Sequence, residues 1–558
     1  MVTDLDASGG FESDLTQINQ QDVLQGFFFA DLRRKSDVGD DRQPRRAGIA
    51  GQFEDFLVTD IDTTADTITV DSRVAVSAVV VAAGTGYADG DIVEVTDGNA
   101  TVLARFLVTG ETGGLVDTVA LTFTGFTGGL EGRTETDTGA GAATTAISGS
   151  GDNALTLTLT YTNGITWQAG DIVLSAGQND AANEGILNVA SVSDNVITMT
   201  ENLTTDATPA ATATLTTVGF LTATDDIDVD ATLLFPALVA SALDFTTMGL
   251  VEGEWIFIGG DAATSDFSNT VNNGFKRIRS IAAKRLEFDK SDNTMVDETA
   301  SSIDVQLFFG RVLKNELAAA IIRRTYQLER QLGAPDVDLP AEIQAEYVEG
   351  AVPSEWELSV PSADKVLTNL SFIGADNSTI DGPTALKTGT RPALIEADAF
   401  NTSSDFSRIR MAIHTDGTEA PTPLFAFGQE FSITINNNVS PNKAVGTLGA
   451  FEVTAGTFQV GGSVTAYFAS EAAIQSVRAN ANITLDMIMV KGAAGAKSGL
   501  LIDLPLITMG DGRPNVEQDQ PITLPLSMDA ATAALIDPAL DYTALMVFFD
   551  FLPNAADV

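Results

Sequence analysis

The chain has 558 residues, of which 44 % are hydrophobic and 19 % are charged, so it holds enough apolar material for several folded domains. Its 76 acidic residues outnumber 30 basic ones, and a net charge of −46 argues against recognition of nucleic acid or anionic lipid, which such a surface repels. It contains no Cys and one His, His414, which excludes disulfides, Cys-ligated zinc and a His-based metal cluster.

The first segment predicts an amphipathic helix. Within residues 19–35, Val23, Leu24, Phe27 and Phe28 share one face, and basic residues occupy the last turn, where the helix dipole favours them. The start, MVTDLDASGG, carries acids where a secretory signal would carry Lys or Arg. No apolar run approaches the ~20 residues that cross a bilayer. We therefore expect a protein that is made in a cytoplasm and is not inserted in a membrane.

Glycine-rich and repeated β segments follow. Residues 84–126 predict a small Gly-rich β module, and residues 169–199 and 252–288 are two copies of one antiparallel pattern. Three short strands bury little apolar surface by themselves, so each copy must pack on a neighbouring part of the protein. No Lys or Arg occurs between Arg133 and Lys276, which indicates inserted material. The aligned positions of the two copies include Gly170 with Gly253, Asp171 with Glu254, Gly185 with Gly274, Val189 with Ile278, and Ile197 with Leu286.

The sequence predicts no catalytic, cofactor-binding or metal-binding residue, and we expect neither an enzyme nor a cofactor. Asp226, Asp228 and Asp230 have the spacing of the first ligands of a calcium loop, but the Gly and the closing Glu of that loop are missing, which favours a solvated acidic linker. Carboxylates are so abundant that no glycosidase pair stands out. GDGRP at 510–514 lacks the Lys-Ser/Thr of a phosphate-binding loop and indicates a turn.

The C-terminal half predicts mostly strands. Residues 431–468 indicate three of them, and the first ends in a block of amides, Asn436 to Asn438, which suits a corner because Asn tolerates left-handed backbone and bonds nearby peptide groups. An ordinary wide loop is the alternative. Short helices are predicted at 470–481 and 528–537. Residues 315–332 fit a helix or, from Thr325 onward, a strand.

The order of these segments resembles the tail tube proteins, or major tail proteins, of long-tailed, non-contractile phages. The resemblance covers roughly residues 245–558, with a weaker likeness in GGFESDL and VLQGFFFADLRRK near the start, and it lies in the ordered series rather than in a catalytic signature. The acidic, base-free interior and the short N-terminal part depart from the family pattern. The phrases that carry the resemblance are GLVEGEWIFIGG, NNGFKRIRSI, RRTYQLERQLG, YVEGAVPSEWELSVPSADKVLTNLSFIGAD, AFEVTAGTFQVGGSVTAYF and LIDLPLI.

The resemblance implies a mainly β fold with a β-sandwich or half-barrel core and a flanking helix, and the base-free stretch and the repeats indicate small antiparallel β domains inserted into it. Together they predict five regions. These are the N-terminal part of the core at 1–60, a Gly-rich β module at 61–165, the first repeat copy at 166–222, the second copy at 223–314, and the C-terminal part of the core at 315–558.

The resemblance also implies a structural virion protein. Six copies would close into a ring, and rings would stack head-to-tail into the tail tube, through which DNA passes without specific binding. The tape measure protein and the tail terminator are the other expected partners, and synthesis is expected in the host cytoplasm. The alternative is a β-module adhesin or fibre-like phage protein that binds a cell-surface glycan. A polysaccharide-degrading tail enzyme is a weaker third.

A channel through which DNA passes limits which side chains can face it. Basic side chains that face the channel would hold the polyanion, so the channel surface should be acidic or neutral. We therefore expect the clustered Arg277, Arg279, Lys284 and Arg285 to lie on the outside or at subunit contacts, and the inserted β modules to lie outside the ring.

Overall fold

The computed structural model divides into two compact units. The larger one contains residues 1–35, 43–48 and 222–558, and the smaller one residues 36–42 and 49–221. The described residues are 7–33, 56–62, 67–71, 73–83, 85, 88–90, 92–96, 102–113, 115–124, 134–136, 147–148, 155–163, 167–178, 180–193, 196–204, 214–317, 320–333, 344–380, 395, 397–415, 417–425, 427–445, 449–468 and 471–556.

The secondary structure is mainly β, and the fold class predicted from the sequence is confirmed. The helices are α1 (Gln21–Phe28) and α2 (Ala472–Ala479). In chain order the strands are β1 Ala7–Asp14, β2 Phe56–Asp62, β3 Thr67–Asp71, β4 Arg73–Ala83, β5 Ile92–Thr96, β6 Val102–Thr112, β7 Leu115–Thr124, β8 Thr134–Thr136, β9 Ile147–Ser148, β10 Leu155–Asn163, β11 Asp171–Ala176, β12 Gly185–Ser193, β13 Val196–Met199, β14 Thr214–Leu221, β15 Ile227–Asp230, β16 Ala237–Ala240, β17 Trp255–Ile258, β18 Gly274–Ala282, β19 Arg285–Ser291, β20 Gln306–Phe308, β21 Arg311–Lys314, β22 Tyr326–Gly333, β23 Gln344–Val360, β24 Leu367–Gly374, β25 Asp376–Ile380, β26 Phe406–Ile413, β27 Gly428–Asn436, β28 Ser440–Lys443, β29 Ala450–Thr454, β30 Gln459–Tyr467, β31 Ile483–Lys491, β32 Lys497–Asp511, β33 Thr523–Ala530 and β34 Leu545–Leu552.

The core of the larger unit is a sheet that folds over itself through β32. The first sheet has the order β1-β24-β23-β27-β30-β33, and the second has the order β26-β31-β32-β34-β21. Strand β32 belongs to both, because Ile507–Asp511 pair with β33 while Lys497–Asp503 run alongside β34. One apolar cluster contains side chains of both sheets, among them Ile433 and Met487. The two sheets therefore enclose a single core, as in a β-sandwich.

Helix α1 flanks this sandwich. Leu24, Phe27 and Phe28 are buried, and the ring of Phe27 packs edge-on against Phe372 of β24 at 5.4 Å. These are the residues that the sequence places on one helical face. The helix is therefore anchored by the apolar stripe that its period predicts.

The helix is shorter than predicted. It ends at Phe28 because Phe29 takes the left-handed conformation, with φ of 53°, and its N–H bonds the carbonyl of Gln25. The basic residues predicted for the last turn are not part of the helix. Arg33 instead bridges to β21 and forms an ion pair with Glu316. A backbone cap, which no periodicity encodes, ended the helix early.

The two late helices have different outcomes. The one predicted at 470–481 is α2. The one predicted at 528–537 is wrong, because β33 continues to Ala530 and only a 3₁₀ turn, Ala533–Leu535, follows. Leu524, Leu526 and Met528 alternate into the core, so the strand period outweighs the helix propensity of the alanines.

Both repeat copies have the same strand order. In the larger unit the second copy has the order β20-β17-β18-β19-β16-β15, and in the smaller unit the first copy has β14-β11-β12-β13-β3-β2. Strand β14 also pairs with β2, so the first copy closes into a small barrel. The predicted boundary between residues 60 and 61 falls inside β2. Pairing thus adds β2 and β3 to the first copy, and β4 to β10 lie between its second and third strands in the chain.

The aligned positions of the two copies make matching hydrogen bonds. The N–H of Gly170 donates to the carbonyl of Val189 at 2.8 Å, and in the second copy Gly253 donates to Ile278 at the same distance. The acid after each glycine accepts the backbone N–H three residues before it, at 2.7 Å in the first copy and 2.9 Å in the second. Identical turn chemistry in both copies indicates an internal duplication.

The Gly-rich module consists of two small sheets. Strands β4, β10 and β8 form one, and β7, β6, β5 and β9 form the other. The pairing of its described strands is antiparallel and stays within the module, which suits an insertion because these strands need no partner from the rest of the chain. Each of the two described helices of the protein has eight residues, and neither is long enough to cross a membrane.

Candidate functional site

The asparagine corner ends β27 through three different bonds. Asn436 accepts the N–H of Asn438 at 2.8 Å, and Asn438 has the left-handed φ of 47°. Asn437 is fully buried; its backbone N–H donates to Ser354 at 2.8 Å and its side-chain amide donates to Pro353 at 3.1 Å. The predicted role of the amides is confirmed: they turn the chain and bond peptide groups of β23 that no strand pairs.

The acidic trio does not converge on one point. Asp226 accepts backbone N–H groups of the loop after β16, Asp228 accepts the N–H of Ala300 at 2.9 Å, and Asp230 pairs with Arg285 at 2.7 Å. Each carboxylate thus closes a turn or pairs with a cation. In the residues that the structure describes, no three His, Cys, Asp or Glu side chains are placed to hold a metal ion.

The outer face of the first sheet is a continuous polar surface of the core. In β27, Phe431 and Ile433 point into the core, and the residues between them point outward. The same alternation holds in β30 and β33. Cross-strand pairs join the outward residues into rows. One row contains Glu12, Asn369, Glu357, Thr434, Gly461, Asp529 and Thr508, and a second contains Ser359, Ser432, Ser463, Ser527 and Gly510.

This face is acidic and carries small side chains. Its carboxylates come from several strands, and Ser432 and Ser463 share a hydrogen bond of 2.9 Å between their hydroxyls. All residues of β1, β24, β23, β27, β30 and β33 are described, and none of them is Lys or Arg. The nearest cation in sequence, Lys365, precedes β24 and pairs with Asp14 at 2.6 Å. We call this surface the base-free face.

The basic residues of the larger unit concentrate elsewhere, in an ionic cluster between the second repeat copy and the second sheet. Arg277 of β18 donates to Asp289 of β19 at 2.6 Å and to Asp503 of β32 at 3.0 Å. The hydroxyl of Tyr542 donates to the same Asp503 at 2.8 Å. Arg277 is 1 % exposed, so the prediction that it lies outside or at a subunit contact is wrong. Its partners are two strands of its own chain.

The cluster continues around Asp486 of β31. Lys290 approaches it at 2.5 Å, Arg408 at 2.7 Å and Arg410 at 3.2 Å. Lys290 and Arg408 also lie 5.7 and 5.5 Å from the ring of Trp255, within cation–π range. The second repeat copy is therefore joined to the second sheet by buried charges.

Mutual attraction keeps these groups charged despite their burial. Burial lowers the pKa of Arg277, but Asp289 and Asp503 outweigh it and hold that pKa well above its usual value. Burial likewise raises the pKa of Asp486, but Arg408 and Lys290 outweigh it and hold that pKa far below its usual range. Removing one partner would leave a bare buried charge, which is costly.

The cluster is specific to the second copy. The alignment places Asn188 of the first copy opposite Arg277, and the amide of Asn188 donates to Glu201 at 2.6 Å. The remaining residues of the predicted basic group are paired as well. Arg279 bonds Asp537 at 2.7 Å, and the ammonium of Lys284 donates to the carbonyl of Leu243 at 3.0 Å.

The pattern of a family described as phage tail tube protein matches residues 199–530, more than half of the chain. The chain belongs to the phage tail tube proteins. Comparison with curated proteins found no match. The matched range contains the second repeat copy and every strand of the base-free face except β1. As a tail tube protein the chain is a structural component of the virion and assembles with itself into a tube.

The sequence did not predict the base-free face or the ionic cluster, although each left a signal. The absence of Lys and Arg from six strands of the core is visible only once the bounds of those strands are known, because the composition of long segments does not show it. The ionic cluster is signalled by charged residues at core-facing positions of β18 and β19, where the first copy has Asn188 and Thr200. The alternation of residues along a strand does not by itself reveal which sheet supplies the counter-charges.

Proposed function

We propose that the base-free face lines the channel of a tube made from closed hexameric rings, stacked head-to-tail, in the tail of a long-tailed, non-contractile phage. The single observation that supports this is the absence of Lys and Arg from β1, β24, β23, β27, β30 and β33. The second sheet cannot take this role, since the second repeat copy covers it through the ionic cluster.

The chemistry of the face suits the passage of DNA. DNA carries one negative charge per ~1.7 Å of its axis, and one exposed Lys per subunit would be repeated around the ring as a strong trap. Glu12, Glu357 and Asp529 instead repel DNA within a Debye length of ~8–10 Å. The Ser side chains and the glycines between them project little from the face. The resulting conduit guides the genome during ejection without binding it.

Assembly follows from the same geometry. Strand β1 pairs on one side only within the part of the chain that the structure describes, and closure into a ring would pair such an edge with the next subunit. A tube of defined length also needs one protein that sets its length and another that ends its growth. The tape measure protein and the tail terminator are therefore the proposed partners. The role of the subunit in this assembly is structural rather than catalytic.

Cysteine accessibility tests the lining of the channel. Because the chain has no Cys, Ser463→Cys on the base-free face provides a unique thiol, and Ser268→Cys, an exposed position in the second repeat copy, is the matched control. Both thiols should react with a polymer-linked maleimide in the unassembled protein. In assembled tubes only the Ser268→Cys thiol should keep reacting, while a small maleimide should reach both.

If Ser463→Cys reacts with the bulky reagent in tubes as fast as the control, the face lies outside and the proposal is wrong. Electron microscopy of the same samples measures the ring symmetry. Trimers or extended monomers in place of stacked rings with an axial hole would contradict the hexameric tube.

A further inference from the structure

The core carries an apolar cleft at one end of β27. It lies between the edge strand β26 and the start of β27, has a volume of about 500 Å³, and is lined by Phe406, Phe425, Phe427 and Phe431. Phe427 is 72 % exposed, which is costly for an isolated subunit in water. Exposed aromatic side chains around a cleft are typical of a site that receives an apolar side chain.

The hairpin β28–β29 lies beyond the other end of β27. Its inner side is held on the core, where Val453 packs against Phe29, Val352 and Ala455. The strand register shifts at Phe451, which has no cross-strand partner in β28 and is 61 % exposed. Val445, in the connection, is fully exposed. The hairpin thus presents two exposed apolar side chains, Phe451 and Val445, which we call the knob.

We propose that the knob of one subunit docks in the phenylalanine cleft of the next copy. The inference rests on the proposed function, because a tube needs a contact that is repeated head-to-tail. Such a contact requires two different and complementary patches on one subunit. The nine residues of β27 separate knob and cleft by about 30 Å at ~3.3 Å per residue, so a docked copy is translated along the strand rather than facing its partner.

Charge favours the same pairing. Glu430 is exposed at the rim of the cleft, and Arg408, the one cation among the described residues that line it, is bound to Asp486 and Asp292. The hairpin carries an exposed Lys443. In a chain with a net charge of −46, a lysine beside the knob and a glutamate beside the cleft are complementary. A second copy therefore fits the cleft better than an unrelated acidic protein would.

Assembly of the full-length protein tests the contact. The knob variant is Val445→Ser with Phe451→Ser, the cleft variant is Phe427→Ser, and Val516→Ser, at an exposed valine outside both patches, is the control. Sedimentation and electron microscopy should show tubes for the unaltered and control proteins. The knob and cleft variants should each stop at a smaller species. All four proteins should unfold at similar temperatures, since the changed side chains are exposed.

Mixing the two variants separates a lost contact from a damaged fold. The knob variant keeps an intact cleft, and the cleft variant keeps an intact knob. An equimolar mixture should therefore form one junction and yield a species with twice the mass of either variant's own species, and this product cannot grow further. Reversing the charges gives an independent readout: Glu430→Lys or Lys443→Glu alone should weaken assembly at least several-fold, and the two together should restore it.

Tubes formed by both variants as readily as by the unaltered chain would overturn the contact while leaving the proposed function intact. If the unaltered chain forms no tubes at any salt concentration, the proposed function and this inference both fail. If the variants assemble normally but lose incorporation into virions, the cleft receives another tail protein and the inference is wrong.

Discussion

At the scale of residues, local chemistry decides where strands end and which charges are buried. Asn437 is buried because it bonds the backbone of β23 where the corner leaves peptide groups unpaired. Asp171 has a less favourable position. Burial raises the pKa of Asp171 from 3.8 to about 7. The hydrogen bond from the N–H of Gln168 favours the charged carboxylate and acts in the opposite direction, but its effect is smaller.

The raised pKa makes a prediction about the first repeat copy. Between pH 3.8 and about 7 the folded state holds a proton on Asp171 that the unfolded state has released, so stability falls as pH rises through this window. Asp171→Asn should remove the penalty and stabilise the first copy by about 2–4 kcal/mol above this window, with little effect below it. Thermal unfolding at several pH values measures this.

Asp89→Asn, at an exposed position of the inserted module, is the control and should change neither the midpoint nor its pH dependence. A pH-independent effect of Asp171→Asn would show that the carboxylate stays ionised in the folded protein.

At the scale of elements, the ionic cluster determines how the second repeat copy is attached. The attraction between buried opposite charges offsets their desolvation only while the set is complete. Arg277 forms ion pairs with two different strands, β19 and β32, and its loss leaves two buried carboxylates without this counter-charge.

Arg277→Met should therefore lower the free energy of unfolding by about 3–5 kcal/mol, because Asp289 and Asp503 remain buried without a counter-charge. Arg285→Met, which breaks half-buried pairs with Asp230 and Glu287, is the matched control and should cost about 1 kcal/mol or less. Urea unfolding followed by Trp fluorescence measures both. Equal losses in the two variants would contradict the central role of Arg277.

At the scale of the whole molecule, the chain combines a family core with a duplicated and interrupted β unit. The first copy is formed by strands that lie on both sides of the Gly-rich module in the chain, since β3 pairs with β13 and β2 with β14. Long insertions in loops cost little closure entropy, so a barrel tolerates such an interruption.

Deletion of the module tests this organisation. Replacing residues 73–166 by a short linker should leave the first copy folded and the protein able to assemble, because β2, β3 and β11 to β14 are all kept. Deleting 61–165 removes β3 and the end of β2, and should unfold the first copy. Hydrogen exchange of β11 to β14 in both variants measures the difference. Equal protection would show that the first copy does not need its first two strands.

The net charge makes a prediction about assembly. With −46 charges per chain, like subunits repel each other at low ionic strength, so raised salt should favour tubes by screening that repulsion. Light scattering across a salt series, with a neutral osmolyte as the control for solvent effects, measures the onset. Tube formation indifferent to salt would show that charge does not limit assembly.

The sequence by itself determined the features that depend on near neighbours. Alternation of apolar and polar residues indicated β27, the turn chemistry of Gly170 and Gly253 aligned the two copies, and the amides of Asn436 to Asn438 predicted the corner. Each depends on a few consecutive residues, whose backbone preferences and hydrogen bonds are local. The ordered series of such segments was also enough to indicate the family.

Only the tertiary structure decided which distant segments meet. It buried Arg277 against Asp503, 226 residues away, and it joined β2 to β14 across the inserted module. It also gathered six strands without Lys or Arg into one face. The physical reason is that a strand period specifies which side is buried but not which strand pairs with it, and a buried charge specifies that a counter-charge exists but not where it lies in the chain.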